Sequence, residues 1–389
     1  MCNRPHNVKV IGVISGTSMD AIDVALADLR LDGDTVVLTP LGHAEHPFPD
    51  DLRTGSAAEL CRADTRLGQA FAAAALAMGD ADLVASLGQT AHHWVEDGRC
   101  LGTLQLGQPA WIAEATGLPV VADLRVRDVA AGGHGAPLAS TLDALWLADL
   151  AASTGRPAIA LNIGGIANVT VVAPGAAPVA YDTGPGNALL DAAVLELSHG
   201  RRTHDVDGEL ALRGSVLSDL LAALLAEPYY ALPAPKSTGK ELFDLAHLHR
   251  AVSGTVGGED LLATLVELTA RTIADACRGA GVVVGSGGGM RNPAVVSALT
   301  RALDGVDLVT SDSLGLPSDA KEAYLSALLG FLTWHGVPAN APSATGASGP
   351  RLLGSITPGR DPLRLPDPAV TPVTRLRIST PPGGPSARP

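Results

Sequence analysis

VKVIGVISGTSMDAIDVALADL, residues Val8 to Leu29, sets two apolar, β-branched runs on either side of a short polar turn. Val8–Ile14 and Ile22–Leu29 read as strands, because buried strands are short, apolar and rich in Val and Ile. A Rossmann unit needs its glycine loop to open a helix. Here the turn SGTSMDAID leads straight into the second strand, so the pair reads as an antiparallel hairpin. Asp34–Leu38 extends it to a third strand. About 150 residues further on the pattern restarts at Pro157, where PAIALNIGGIANVTVV is again strand, glycine turn, strand. That recurrence predicts an internally duplicated α/β fold of two similar lobes, each aiming a hairpin turn at a shared cleft.

Between and beyond the hairpins, a helix is expected over Thr65–Met78, then the strand DLVASLG and the loop GQTAHHW. LPVVADLRVRD reads as a strand running on extended, which puts Arg125 and Arg127 on one side, and a helix follows from about Pro137 to Ala152. The chain is largely helical to Cys277, after which VVVGSGGGMRNP is a buried strand entering a glycine loop and a helix. A strand, a loop and the apolar helix in SDAKEAYLSALLGFL close the fold. These elements predict an N-terminal lobe over residues 1–140, a C-terminal lobe over 141–365 and a disordered, Pro/Gly-rich tail over 366–389.

With 389 residues, 46% hydrophobic and 17% charged, the chain is globular in composition and long enough for more than one domain. A net charge of -13 disfavours nucleic acid or an anionic membrane as partner. Cys2, Cys61, Cys100 and Cys277 are scattered with no CxxC pair, the pattern of reduced cytosolic thiols. No apolar run approaches the roughly 18 to 20 residues of a membrane span, and the start lacks a signal peptide's long apolar region. A cytoplasmic protein is expected.

Several stretches carry chemistry. In the first turn the backbone N–H groups and hydroxyls of Gly16, Thr17 and Ser18 suit phosphate oxygens. Asp20 and Asp23 would repel a bare phosphate, which points to magnesium held directly or through water. The second hairpin offers Gly164, Gly165 and Asn168 in the same way, and Gly287, Gly288 and Gly289 form a third glycine loop suited to adenosine or its α-phosphate. Taken singly, each is explained as turn chemistry; three together favour a nucleotide. Asp182, in DTGPGN, follows the second hairpin and precedes glycines that would admit a substrate closely, so it is the candidate general base. Arg125 or Arg127 could grip a substrate carboxylate bidentately. His92 and His93, adjacent on an extended segment, point to opposite sides and do not read as a metal pair. Glu322 stands near a helix start, where the dipole alone would favour it.

The motifs SGTSMDAID, GQTAHH, LGQPAWIAEATGLPVVADLRVRDVAAGGHGAPL, LNIGGIANVT, DTGPGN, DVDGELALRG, PKSTGKELF, GSGGGMRNP and LPSDAKEAYLSALL occur in order over residues 8–358. Together they resemble the anhydro-N-acetylmuramic acid kinase family. The resemblance implies an actin-like (ribonuclease H-like, duplicated) ATPase fold whose lobes close over Mg-ATP. It implies a cytoplasmic, typically homodimeric enzyme of bacterial cell-wall recycling. That enzyme uses ATP and water to turn 1,6-anhydro-N-acetylmuramic acid into its 6-phosphate and ADP. It assigns ATP phosphates to Gly16, Thr17, Ser18, Met19, Asp20, Ala21, Ile22 and Asp23, and nucleotide contacts to Gly287, Gly288 and Gly289. Asp182 matches the catalytic aspartate; Thr90, Arg125 and Glu322 match substrate-contacting positions. The family usually has Gly where Ala21 stands, so a turn needing φ > 0 there would be strained by about 1 kcal/mol. It tends to have Phe at Leu124, a plain apolar exchange. The rival readings are another sugar or carboxylate kinase of the same fold, and a non-catalytic ATP-binding regulatory protein.

Overall fold

The structure, a computed structural model, describes residues 7–16, 19–252 and 254–380. The opening hairpin is β1 (Val8–Ser15) and β2 (Ala21–Asp32), followed by β3 (Thr35–Pro47). Next come α1 (Ala57–Ala77), β4 (Leu83–Glu96), β5 (Arg99–Leu106), α2 (Pro109–Thr116), β6 (Val120–Ala122), α3 (Val126–Ala130) and α4 (Ala139–Thr154). The second hairpin is β7 (Ala158–Ile163) and β8 (Ile166–Val172), followed by β9 (Val179–Pro185) and α5 (Ala188–Leu197). Helices α6 (Glu209–Arg213), α7 (Ser218–Leu225), α8 (Leu245–Ala251) and α9 (Gly258–Ala276) lead to β10 (Val282–Ser286), α10 (Pro293–Ala302) and β11 (Asp307–Thr310). The chain then forms α11 (Lys321–Trp334), α12 (Pro342–Thr345), β12 (Ser355–Thr357) and β13 (Arg375–Ile378).

Each hairpin seeds a sheet. In the first, the strand order is β12-β6-β4-β1-β2-β3-β13, with β5 paired to β4. Strands β1, β2 and β3 run antiparallel, while β4 is parallel to β1 and β6 parallel to β4. The second sheet is ordered β11-β10-β7-β8-β9. Its β7, β8 and β9 are antiparallel, with β10 parallel to β7 and β11 parallel to β10. Third, second, first, fourth, fifth: the same five-strand order and directions occur twice. This is the duplicated ribonuclease H-like pattern of the actin-like fold, and it bears out the predicted repeat at the level of topology.

The described residues divide into two compact units, one falling within Met1–Trp146 and Leu314–Pro389 and the other within Leu147–Ser313. Residues 314–365, expected in the C-terminal lobe, therefore belong with the first unit. The reason is α11, whose fully buried run from Ala323 to Leu332 covers β1, β2 and β4. Both hydroxyls buried in this run are satisfied: that of Ser326 is shared between the carbonyls of Val13 and Ala85, and that of Tyr324 donates to the Gly42 carbonyl. In the second unit α9 is central. Its Leu262, Leu265, Leu268 and Ile273 share a core with Ile159, Leu161, Val169 and Val283 of the sheet.

Three local expectations are corrected. The first helix begins at Ala57, eight residues before the predicted start, where Ser56 caps it: its hydroxyl accepts from the Glu59 N–H and donates to the Glu59 carboxylate. The segment after β6 is not extended: Arg125 precedes the short helix α3, so it and Arg127 do not share a strand face. Part of the expected disordered tail is a strand. β13 lies parallel to β3, pairing Arg375 with Thr35 and Ile378 with Leu38, and covers an edge that β3 would otherwise expose.

Candidate active site

The first turn joins β1 to β2. Thr17 and Ser18 lie outside the described residues. On either side, the Ser15 hydroxyl donates to the Ala21 carbonyl (2.8 Å) and the Met19 N–H donates to the Gly16 carbonyl (3.2 Å). Among the described residues of this turn Met19 is left-handed, at φ 53°. Ala21 is the first residue of β2 and pairs with Pro47, so the expected strain at Ala21 is absent. Ile22 is fully buried beside it. Asp23 faces Glu45 across the β2–β3 ladder. Burial, and then the carboxylates of Glu45, Glu322, Asp20 and Asp319, push its pKa up from 3.8 to about 6. The turn is thus a place of crowded negative charge.

The other predicted residues of this unit are Thr90, Arg125 and Glu322. Thr90 is on β4 and accepts from the Gln105 side-chain amide of β5 (3.3 Å). Glu322 stands in the first turn of α11. Burial draws the Arg125 guanidinium below its ordinary pKa, and Glu322 works the other way. Arg125 Nη1 donates to the Gly135 carbonyl (2.9 Å), whereas Nε is buried without a partner. His93 joins this group: burial and then Arg125, His92 and His134 lower its pKa, and its Nδ1 is buried without a partner. An arginine fork only partly used, with a buried orphan donor, is suited to an anion. Among the described residues no three His, Cys, Asp or Glu side chains are arranged to hold a metal ion by themselves.

The second unit gathers its own set. Asp182 lies within β9 rather than in a loop, and the ladder sets it opposite Asn168 of β8, which in turn lies opposite Asn162 of β7. One Asp182 carboxylate oxygen accepts from the Ser237 hydroxyl (2.9 Å) and from the Thr238 N–H (2.9 Å). Its own N–H donates to the Lys236 carbonyl (3.0 Å), and its carbonyl accepts from the Tyr229 hydroxyl (2.8 Å). Burial raises the Asp182 pKa, while the Thr238 and Ser237 hydrogen bonds oppose the rise. Ser237, Thr238 and Asn162 were not singled out from the sequence. The available signals were the hydroxyl pair in PKSTGK and a half-buried asparagine in an otherwise apolar strand.

The glycines divide by what surrounds them. Gly164 and Gly165 accept, at their carbonyls, the N–H groups of Gly186, Asn187 and Ala188 (2.8–2.9 Å), so the second turn is bound to the start of α5. A Cβ on Gly186 would strike the Gly164 carbonyl, and one on Gly184 would lie 2.8 Å from the Tyr230 ring. Packing within the unit therefore requires glycine at both positions. Gly287, at φ 87°, packs on the Ile163 carbonyl, and a Cβ on Gly289 would strike the Ile163 side chain. Of Gly287, Gly288 and Gly289 only Gly288 is exposed, and a Cβ there would meet nothing nearer than Arg291 Nη2 at 3.6 Å. The Lys240 stem crosses Gly165, where a Cβ would meet its Cε at 2.6 Å.

Comparison with known proteins places these features in a family. The family model described as anhydro-N-acetylmuramic acid kinase matches residues 8–359. A relative of that name from Streptomyces coelicolor is 56% identical over 97% of this chain and 100% of its own length. Another from Streptomyces avermitilis is 58% identical over 92% of this chain and 97% of its own. One from Rhodococcus erythropolis is 51% identical over 90% and 94%. A solved ROK family glucokinase from Streptomyces griseus aligns over 83% of this chain and 99% of its own at 13% identity. Its TM-score of 0.37 is too low to carry an argument, and the repeated strand order stands without it.

Proposed function

The chain belongs to the anhydro-N-acetylmuramic acid kinase family, and from that premise we propose a hydrolytic sugar kinase of cell-wall recycling. It opens 1,6-anhydro-N-acetylmuramic acid with water and phosphorylates O6 with ATP, giving N-acetylmuramic acid 6-phosphate and ADP. The observation that carries the chemistry is Asp182, a half-buried strand carboxylate oriented by Ser237 and Thr238. Burial raises its pKa, which makes it a better proton acceptor than a solvated aspartate.

Asp182 takes a proton from water as the water oxygen bonds to C1 and the C1–O6 bond breaks. The freed O6 bonds to the γ-phosphorus of ATP, and the bond from that phosphorus to the bridging oxygen breaks to release ADP. Phosphoryl capture stabilises the departing O6, so no second carboxylic acid is needed to protonate it. The backbone of the Gly16–Asp23 turn and of Gly164–Gly165, with Asn168, holds phosphate oxygens, and Gly288 of the Gly287–Gly289 loop faces the nucleotide. Thr90 and Glu322 contact the sugar, and Arg125 takes its lactyl carboxylate on the buried donor that lacks a partner.

Magnesium arriving with ATP would neutralise charge on the transferred phosphoryl group. Asp20 and Asp23 would hold it through water, and the raised Asp23 pKa marks a place where a cation relieves repulsion. Among the described residues no helix is long and apolar enough to cross a membrane. A cytoplasmic homodimer fits the family.

The test compares wild type with Asp182→Asn in ATP-dependent phosphorylation of 1,6-anhydro-N-acetylmuramic acid. ATP binding should survive and turnover should fall by about two to four orders of magnitude. An undiminished rate would remove Asp182 from its role.

A further inference from the structure

Asp128 is fully buried, and its carboxylate is engaged on both oxygens. Oδ2 accepts from the Gly135 N–H (2.8 Å). Oδ1 accepts from the Asn340 side-chain amide (2.7 Å) and the Thr345 hydroxyl (2.7 Å). A charge buried so completely is tolerated only when hydrogen-bond donors replace the lost water, and these donors come from two distant stretches of one unit. The Asp128 carboxylate therefore fastens residues 340–345 to the loop 131–135. Backbone bonds reinforce the joint: His134 N–H donates to the Thr345 carbonyl (2.8 Å) and Ser348 N–H to the Ala131 carbonyl (2.9 Å).

What the joint holds is the support of Arg125. The Gly135 carbonyl accepts from Arg125 Nη1 (2.9 Å). Gly135 is at φ 66°, and a Cβ there would lie 3.2 Å from Arg125 Cβ, so the loop lies directly against the arginine. Gly133, beside it, leaves room for the Asp128 carboxylate, which any Cβ would strike. The path runs from Asp128 Oδ2 to the Gly135 N–H and on through the Gly135 carbonyl to Arg125. One edge of the guanidinium is thereby fixed, and Nε is left buried and unpaired.

We propose that Asp128 is a positioning residue which, through Gly135, sets the Arg125 guanidinium for a carboxylate and so makes the enzyme select acidic anhydro sugars over neutral ones. The proposal rests on the reading of Arg125 as the group that meets the lactyl carboxylate. Asp128 itself touches no substrate. A guanidinium held at one edge presents its remaining donors in a fixed direction, which is what bidentate recognition of a carboxylate requires. Released from Gly135, it would keep its charge but lose its aim.

The test is steady-state kinetics of the full-length enzyme on 1,6-anhydro-N-acetylmuramic acid and on 1,6-anhydro-N-acetylglucosamine, which lacks the lactyl carboxylate. Asp128→Asn offers the Gly135 N–H, or the Asn340 amide and Thr345 hydroxyl, a donor in place of an acceptor. It should raise KM for the acidic sugar about tenfold, the worth of one charge-assisted hydrogen bond, with kcat and KM for ATP little changed. Thr345→Val, the milder change, should do the same to a smaller extent, and Thr345→Ser should restore KM. Discrimination against the neutral sugar should fall in step. Arg125→Gln measured alongside should show the full loss, and Asp128→Asn added to it should add nothing. If Arg125→Gln leaves KM for the acidic sugar unchanged, the assignment of Arg125 fails and the proposal with it. If Arg125→Gln raises that KM while the Asp128 and Thr345 variants lower only Tm, or affect both sugars equally, Asp128 is structural and the proposal alone is overturned. Where Asp128→Asn does not fold, Thr345→Val against Thr345→Ser decides.

Discussion

Asp23→Asn should stabilise the ligand-free protein at high pH and leave it unchanged at low pH. Asp23 sits in β2 opposite Glu45, with the charges of Glu322, Asp20 and Asp319 also bearing on it, and its pKa stands at about 6 against an ordinary 3.8. Because the folded pKa is the higher one, the folded protein keeps this proton over a range where the unfolded chain has lost it. The cost of ionising Asp23 is therefore absent below about pH 4, grows between about 4 and 6, and is complete above. A shift of about 2 units would be worth about 3 kcal/mol at full burial. Asp23 is only half-buried, so solvent screening brings the figure to about 1 kcal/mol. In a unit of this size that corresponds to a Tm about 2–4 °C higher for the variant at pH 8, converging with wild type by pH 4. Differential scanning calorimetry of both proteins without nucleotide, from pH 4 to pH 8, measures it. Equal Tm values at pH 8, or an offset that does not change with pH, would refute the reasoning. The stabilised variant should turn over poorly with Mg-ATP, since the repulsion it relieves is what would welcome the cation.

Two further outcomes follow from named contacts. Ser237→Ala removes a hydrogen bond that holds the Asp182 pKa down, so that pKa should rise further. A base works deprotonated, so activity should be lost earlier as pH falls, and the acid limb of kcat should move to higher pH; a limb that stays in place contradicts the account. Gly12→Ala would drive a methyl against the Ala323 carbonyl and within 2.6 Å of the Ala327 nitrogen where α11 rests on β1. Backbone cannot swing aside, so the cost is about 3 kcal/mol and Tm should fall by about 6–12 °C; an unchanged Tm would show that α11 does not pack there as described.

What could be read from the chain was what depends on neighbours in sequence. The two hairpins announced themselves because β-branched runs beside a Gly/Ser/Asp turn have few other ways to fold, and their repetition foretold the repeated sheet. Asp182 and the glycine loops could be marked as candidates, but their surroundings could not. Gly186 and Gly289 look like openings for a ligand in the sequence and are filled by Gly164 and Ile163 in the fold. The segment VRDVA has strand composition, yet Asp123 turns at φ 56° and the Asp128 carboxylate ties the following loop, so a helical turn wins. The partner of α11 was illegible for a different reason. From Ala323 to Leu332 the helix is buried on all sides, so it has no single apolar face to predict its place. Likewise, RLRI of β13 is too short to stand out, and its partner Thr35–Leu38 lies at the other end of the chain.

The central claim is that water, not a sugar hydroxyl, is the nucleophile at carbon and that Asp182 activates it while O6 receives the phosphoryl group. Running the reaction on 1,6-anhydro-N-acetylmuramic acid and ATP in oxygen-18 water, and locating the label by mass spectrometry under conditions that limit exchange at C1, tests this in one step. The account predicts one labelled oxygen at C1 of N-acetylmuramic acid 6-phosphate and none in the phosphoryl group. Label in the phosphoryl group, or a phosphorylated product that retains the anhydro ring, would contradict it.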